Sequence, residues 1–207
     1  MNRGAEMSHK GLLVILCGPS GVGKGTILNK AMHKNKNIRL SVSATTRSPR
    51  SGEEEAVNYY FKSIRDFKKM IEKDELVEWV EYCGNYYGTP KRHIEDLLGQ
   101  GYDVVLEIEV EGAARIKNKY PEVVSVFVLP PTFEELRTRL AGRGTEDSEV
   151  IEKRIERARQ EIEHADKYDY IIINDDIDEA ADKLNCILQA EKLTVERNKH
   201  ILEEIGF

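Results

Sequence analysis

A chain of 207 residues can bury one good core with an insertion, or two very small cores, and one is expected here. With 40% hydrophobic and 33% charged residues it has the balance of an ordinary soluble globular protein, and its longest apolar runs are far too short to span a bilayer. A formal net charge of −6 argues against a surface that coats nucleic acid, so an anionic ligand has to be met by a local cluster of Arg and Lys.

The first ten residues, Met1–Lys10, are polar and lack an apolar signal core, so the expected location is the cytoplasm. The apolar run Leu12-Leu13-Val14-Ile15-Leu16 then predicts a strand over Leu12–Cys17. It leads directly into Gly18-Pro19-Ser20-Gly21-Val22-Gly23-Lys24-Gly25-Thr26 and a helix-like Ile27-Leu28-Asn29-Lys30-Ala31-Met32. A buried strand, a glycine-rich turn and a helix start are the context of a phosphate-binding loop. Its glycines let consecutive backbone N–H groups converge on phosphate oxygens at a helix N-terminus, and Lys24 adds a point charge. The usual motif carries Ser or Thr directly after the lysine as a Mg²⁺ ligand. This chain has Gly25 there, and Thr26 is the nearest hydroxyl.

Ile38–Ser43 predicts a second strand, followed by the hydroxyl-rich turn Ser41-Val42-Ser43-Ala44-Thr45-Thr46-Arg47-Ser48-Pro49-Arg50. Two arginines three apart suit bidentate contact with phosphate, although such arginines taken alone are as often solvated surface charges. From Thr45 to Tyr87 the chain reads as a small mixed β lobe. It has a polar loop, then Tyr59-Tyr60-Phe61, a short helix around Phe67–Ile71, and the alternating arm Leu76–Tyr82 returning through Cys83-Gly84-Asn85 to Tyr86-Tyr87. Thr89-Pro90 reads as an N-cap with proline at the first helical position, opening a helix whose apolar face is Ile94, Leu97 and Leu98.

Tyr102–Val110, Val123–Leu129 and Tyr168–Ile173 complete five apolar segments, several of them near-continuous, as strands buried on both faces of a parallel sheet are. Glu107 and Glu109, two apart on the third strand, are expected to project from one face at its carboxyl end, suited to Mg²⁺ through water or to a nucleotide's sugar or base. Pro131 to Glu163 predicts two charged amphipathic helices joined by Gly142-Arg143-Gly144-Thr145, a lid. Ile177–Phe207 is helix-prone and expected to pack back on the core. Strands alternating with helices give an α/β doubly wound architecture that binds ligands at the carboxyl ends of its strands. Cys17, Cys83 and Cys186 form no metal or redox pattern and are expected to be reduced thiols.

The strings GPSGVGKGT, SVSATTRSPR, EWVEYCGNYYGTP, LEIEVEGA, LAGRGTE and IIIND stand in this order, and on them the chain closely resembles the guanylate kinase family from Gly11 to Leu193. The resemblance implies a P-loop NTPase three-layer core with a five-stranded parallel sheet (residues 10–44, 90–130 and 165–207). It also implies an inserted GMP-binding lobe (45–89) and a helical lid (131–164). It implies direct transfer of the γ-phosphoryl group of ATP to GMP, and to dGMP, with Mg²⁺. The expected partners are these small molecules, not nucleic acid or membrane, in a monomer or homodimer.

Carried over by matching motif, Gly18 to Thr26 and Asn174 would bind ATP. Ser43, Arg47, Arg50, Tyr59 and Tyr87 would meet the GMP phosphate, and Glu78 and Thr89 would read the guanine, with Glu107 and Glu109 nearby. Lys24, Arg47, Arg139, Arg143 and Arg154 would act in the transfer. Mg²⁺ would be held mainly through phosphates and water, with Thr26, Glu107 and Glu109 as candidates. Arg137, Arg157 and Arg159 read as solvated or ion-paired. Two other classes fit parts of the pattern. A catalytically inactive scaffold domain would not need Gly23-Lys24 and the lid arginines, and a kinase of a phosphorylated sugar would not need Tyr59, Glu78 and Tyr87.

Overall fold

The structure, a computed structural model, describes residues 10–50, 52–82, 84–141 and 148–206. In chain order the first half gives β1 (Leu13–Cys17), α1 (Lys24–Lys34), β2 (Ile38–Leu40), β3 (Ala44–Thr45), β4 (Tyr60–Phe61), α2 (Ile64–Glu72), β5 (Leu76–Tyr82), β6 (Asn85–Pro90) and α3 (Lys91–Gly99). The second half gives β7 (Asp103–Glu107), α4 (Val110–Lys119), β8 (Val124–Leu129), α5 (Phe133–Ala141), α6 (Ser148–Ile162), β9 (Tyr170–Ile173), α7 (Ile177–Lys192) and α8 (Val195–Glu204).

Five strands form a parallel sheet in the order β2-β7-β1-β8-β9. Every residue of β1 is buried, as its unbroken apolar run requires of a central strand. Strand alternation sends Val14 and Leu16 to one face, against Ile27, Leu28 and Ala31 of α1 and Leu184 and Leu188 of α7. Leu13, Ile15 and Cys17 go to the other, against Ile94 and Leu98 of α3 and Ala113 and Ile116 of α4. The result is a three-layer α/β core. A second, mixed sheet has the order β4-β3-β6-β5, with β3 parallel to β4 and antiparallel to β6. The α5–α6 pair has its own small apolar seam of Leu136, Leu140, Ile155 and Ala158, and the joining residues 142–145 lie outside the described residues.

Several expected boundaries are corrected. β2 stops at Leu40 and does not run to Ser43, because the chain leaves the parallel sheet and Ala44–Thr45 pairs instead with β4 and β6. β7 stops at Glu107. Glu109 is the N-cap of α4, a helix that begins where the strand was expected to end, so the two acids do not share a strand face. β6 runs to Pro90, which occupies the N-cap of α3, while the Thr89 hydroxyl is committed to Glu78. Of the C-terminal stretch, α7 packs on the core but α8 buries no side chain. It is tied down through Arg197, which donates to the Lys10 carbonyl at 2.6 Å. Cys17 is a buried free thiol and Cys186 an exposed one, and Cys83 lies outside the described residues. Among the described residues no helix is long and apolar enough to cross a membrane.

The sheet fixes the loop after β1 by close backbone approach. Gly18 has φ +141°, and a Cβ there would lie 2.3 Å from the Val128 carbonyl oxygen of β8. Gly18→Ala is therefore expected to destabilise the protein by about 2–4 kcal/mol, combining overpacking against backbone with an unfavourable φ. Urea unfolding checks this, and a loss below about 0.5 kcal/mol, the scale of an ordinary surface substitution, would contradict it.

Candidate active site

The glycine-rich loop crosses the carboxyl end of β1 and enters α1 through Gly23, whose left-handed backbone (φ 96°) serves as N-cap. A side chain at 23 would collide with Asn174, whose Nδ2 would stand 2.5 Å from the added Cβ. Asn174 follows β9, is 2% exposed, and donates from Nδ2 to the Val22 carbonyl at 2.7 Å. It lies under the loop and braces it, and its Oδ1 is buried without a hydrogen-bond partner among the described residues. Lys24 folds back on its own loop, with Nζ donating to the carbonyls of Gly18 at 2.7 Å and Pro19 at 3.3 Å.

Beside the first turn of α1 stands Glu107, at the end of β7. A Cβ on Gly25 would lie 3.3 Å from its Oε2, so the missing side chain at 25 leaves room that this carboxylate faces. Thr26 is exposed on the same turn.

Two of the three arginines assigned to the lid reach this neighbourhood. Arg154 of α6 donates from Nη2 to Ser20 Oγ at 2.7 Å. Arg139 of α5 donates from Nη2 to the Asn174 carbonyl at 3.1 Å and from Nε to Glu135 at 2.9 Å. Arg143 lies outside the described residues. The other three arginines of these helices are occupied as expected of paired charges. Arg137 pairs with Glu152, Arg159 lies over the Phe133 ring, and Arg157 pairs with Glu161 and Glu109.

The mixed sheet supplies a second cluster. Glu78 of β5 is 9% exposed, and its Oε1 accepts from Thr89 Oγ1 of β6 at 2.7 Å. Burial pushes its carboxyl above the ordinary value, and the Thr89 hydrogen bond and the Arg115 charge oppose this only in part. Arg115 of α4 also donates to the Trp79 carbonyl, which ties β5 to that helix.

Around Arg47 the groups are close-set. Its Nη2 meets Glu53 Oε1 at 2.8 Å and Oε2 at 3.0 Å, and its guanidinium carbon lies 5.5 Å from the Tyr59 ring centre. Tyr59 in turn packs edge-on to Tyr87, with ring centres 6.3 Å apart, and its hydroxyl is raised in pKa by burial. Arg50 projects an exposed side chain from the same turn, and its backbone N–H donates to Glu53 Oε2 at 2.7 Å.

A cleft of about 780 Å³ is lined by Ser43, Tyr59, Glu78 and Tyr87 together with Glu107 and Glu109. Arg157 of α6 also lines it, its Nη2 2.8 Å from Glu109 Oε2. The cleft is large enough for a mononucleotide and offers the buried Glu78 carboxylate and the Tyr59 and Tyr87 rings, with Arg47 packed behind Tyr59. Sequence reasoning missed Glu53, which stands in a run of three acids, Glu53-Glu54-Glu55, just past the polar loop and was given no role. It also missed Arg115, which was likewise given no role.

The family model for guanylate kinase matches residues 10–191. The chain is 48% identical over 200 residues to guanylate kinase of Desulfitobacterium hafniense, covering 97% of this chain and 100% of that protein. It is 51% identical over 189 residues to that of Halalkalibacterium halodurans, covering 91% of this chain and 93% of that protein. The crystal structure of guanylate kinase from Anaplasma phagocytophilum superposes with a TM-score of 0.74 at 37% identity, over 92% of this chain and 90% of that one.

The buried carboxylate has a consequence for stability. Because the folded Glu78 carboxyl titrates above 4.5, ionising it costs folding free energy at every pH above its folded value, and that cost vanishes as pH falls toward 4.5. Glu78→Gln is expected to raise the melting temperature of the ligand-free protein at about pH 8, with the gain closing as pH approaches about 4.5. Thermal melts across that range check it. A variant less stable than the parent at the alkaline end, or a pH-independent difference, would contradict it.

Proposed function

The chain belongs to the guanylate kinase family, and from that premise we propose how its own residues divide the work of the reaction. The family moves the γ-phosphoryl group of ATP to GMP, giving ADP and GDP, and this chain is an ATP:GMP phosphotransferase.

The ATP side is the loop from Gly18 to Thr26. Its backbone amides, held by Gly23 and by Asn174 from below, cradle the triphosphate. Lys24 exchanges the Gly18 and Pro19 carbonyls for phosphate oxygens, a rotation of a flexible stem that leaves the loop in place. Asn174 serves ATP through the loop it braces, since its amide is spent on Val22. Hard oxygen donors at the loop suit Mg²⁺: Glu107 through water, the hydroxyl of Thr26 and the phosphates would hold it, and the bound ion would neutralise charge on the bridging and terminal phosphate oxygens.

The GMP side is the mixed sheet, residues 45–89. Guanine offers N1–H and N2–H₂ on one edge, and Glu78 can accept from both while Thr89 holds the carboxylate in place. Adenine presents an acceptor at N1 and would leave that buried carboxylate unpaired, so the discrimination is polar. Arg47, Arg50, Tyr59, Tyr87 and Ser43 receive the phosphate, and Glu109, in the lining of the cleft, takes the sugar or base side.

The lid, residues 131–164, carries Arg139, Arg143 and Arg154. Arginines delivered to a transferring phosphoryl group are worth about 10³–10⁵ in rate in related systems. Closure also excludes water, the competing acceptor. The GMP phosphate oxygen attacks the γ-phosphorus directly, so no covalent protein nucleophile is required, and dGMP is accepted as well.

The observation that carries this reading is the buried Glu78–Thr89 pair in the same cleft as Tyr59 and Tyr87, a base reader beside a phosphate grip. A coupled assay for ADP with Mg²⁺-ATP and a panel of GMP, dGMP, AMP, CMP, UMP and a sugar bisphosphate tests it. Turnover is expected with the guanine nucleotides. Equal turnover of AMP, preference for the sugar, or none with any acceptor would overturn it. Lys24→Ala is expected to lower kcat by at least about 10²-fold while GMP affinity, measured by calorimetry, stays within about threefold. A near-normal kcat would contradict the assignment of the loop.

A further inference from the structure

Glu53 has no role in the division of labour above, yet it lies at the centre of the phosphate-facing cluster. Both of its carboxylate oxygens take Arg47 Nη2, at 2.8 and 3.0 Å, and Oε2 also accepts the Arg50 backbone N–H at 2.7 Å. One side chain thus fixes both positions assigned to the acceptor phosphate. The pair is shielded, with side chains 16% and 18% exposed, so it is worth more than an exposed surface ion pair. Arg47 Nη1 donates to the Ser48 carbonyl at 2.7 Å, which closes the turn from the other side. The guanidinium is thereby held beside the Tyr59 ring, and Tyr59 is packed on Tyr87.

An arginine side chain has much rotamer freedom, which a bound phosphate would otherwise have to freeze. A carboxylate that has already done so lowers that cost. The local charge still favours an anion, because Arg47 and Arg50 outnumber Glu53.

We propose that Glu53 is a positioning residue for the acceptor phosphate, holding Arg47 and the Arg50 backbone in the arrangement GMP meets, and acting through Arg47. The proposal rests on the assignment of Arg47 to the GMP phosphate. Its rival is a place-holder: Glu53 would occupy the phosphate's seat on Arg47 and have to be displaced. The two differ in sign. Removing the Glu53 charge weakens GMP binding if the residue positions, and strengthens it if the residue competes.

The test is steady-state kinetics of the full chain, with KM for GMP, KM for ATP and kcat measured for Glu53→Gln, Arg47→Ala and the double variant. Glu53→Gln is isosteric and keeps the surface turn uncrowded. It is expected to raise KM for GMP about tenfold and leave KM for ATP within about twofold. In the Arg47→Ala background the same change should add less than about threefold, the non-additivity of residues acting as one unit. If Arg47→Ala leaves KM for GMP unchanged, the assignment of Arg47 fails and the inference with it. If Arg47→Ala weakens GMP but Glu53→Gln leaves its KM unchanged or lowers it, only the inference fails. A Glu53→Gln effect that is fully additive with Arg47→Ala, or that moves KM for ATP equally, would also overturn it.

Discussion

Ionised groups taken out of water have to be paired, and in this chain the groups suited to hold nucleotide are paired internally in its absence. Lys24 is capped by two loop carbonyls, Arg47 by Glu53, Arg154 by Ser20, Glu78 by Thr89, and Arg157 by Glu109 and Glu161. These contacts hold each charged side chain beside the loop or the cleft with its charge compensated. Catalysis of phosphoryl transfer is chiefly positioning and neutralisation, so cations gathered at the loop, the turn after β3 and α6 supply most of what the reaction asks of the protein.

The scaffold follows from the same demand. The parallel sheet places the loop at the carboxyl end of its central strand, and the approach of Gly18 to β8 and of Gly23 to Asn174 leaves the loop no other path. The mixed sheet puts Glu78 and Thr89 on adjacent antiparallel strands, where a short side chain and a longer one can meet across the ladder. Glu78 is stabilised too little by Thr89 and Arg115 to offset burial, so its ionised form carries a cost that the proposed guanine donors would relieve.

The core was legible in the sequence because its strands are unbroken apolar runs, and the loop because glycine spacing and flanking elements coincide at one place. The places where the reading failed share a cause. Glu107 and Glu109 were put on one strand because LEIEV alternates like a strand, but tertiary packing of Val110, Ala113 and Ile116 against the sheet ends the strand at Glu107, three residues short of Val110, and opens α4 at Val110. Thr89 had the look of a cap, yet a buried carboxylate across the ladder outcompeted the helix end for its hydroxyl. Glu53 acts on the Arg47 side chain six positions back and the Arg50 backbone three back, and Arg115 on the Trp79 carbonyl of another element, through contacts that only the folded chain creates, so no sequence motif marks them. α8 shows the converse: its sequence is helical and partly apolar, but no core residue is left for it to cover.

The central claim is that two anionic nucleotides are held from two preformed sides, one by the loop and one by the mixed sheet. A crystal structure of the chain with GMP and a non-hydrolysable ATP analogue tests it most directly. The account predicts the guanine edge within about 3 Å of the Glu78 carboxylate. It also predicts the monophosphate on Arg47, Tyr59 and Tyr87, and Lys24 Nζ moved from the Gly18 carbonyl onto the triphosphate. A monophosphate bound away from the mixed sheet, or Lys24 still capped by its own loop with the triphosphate in place, would contradict it.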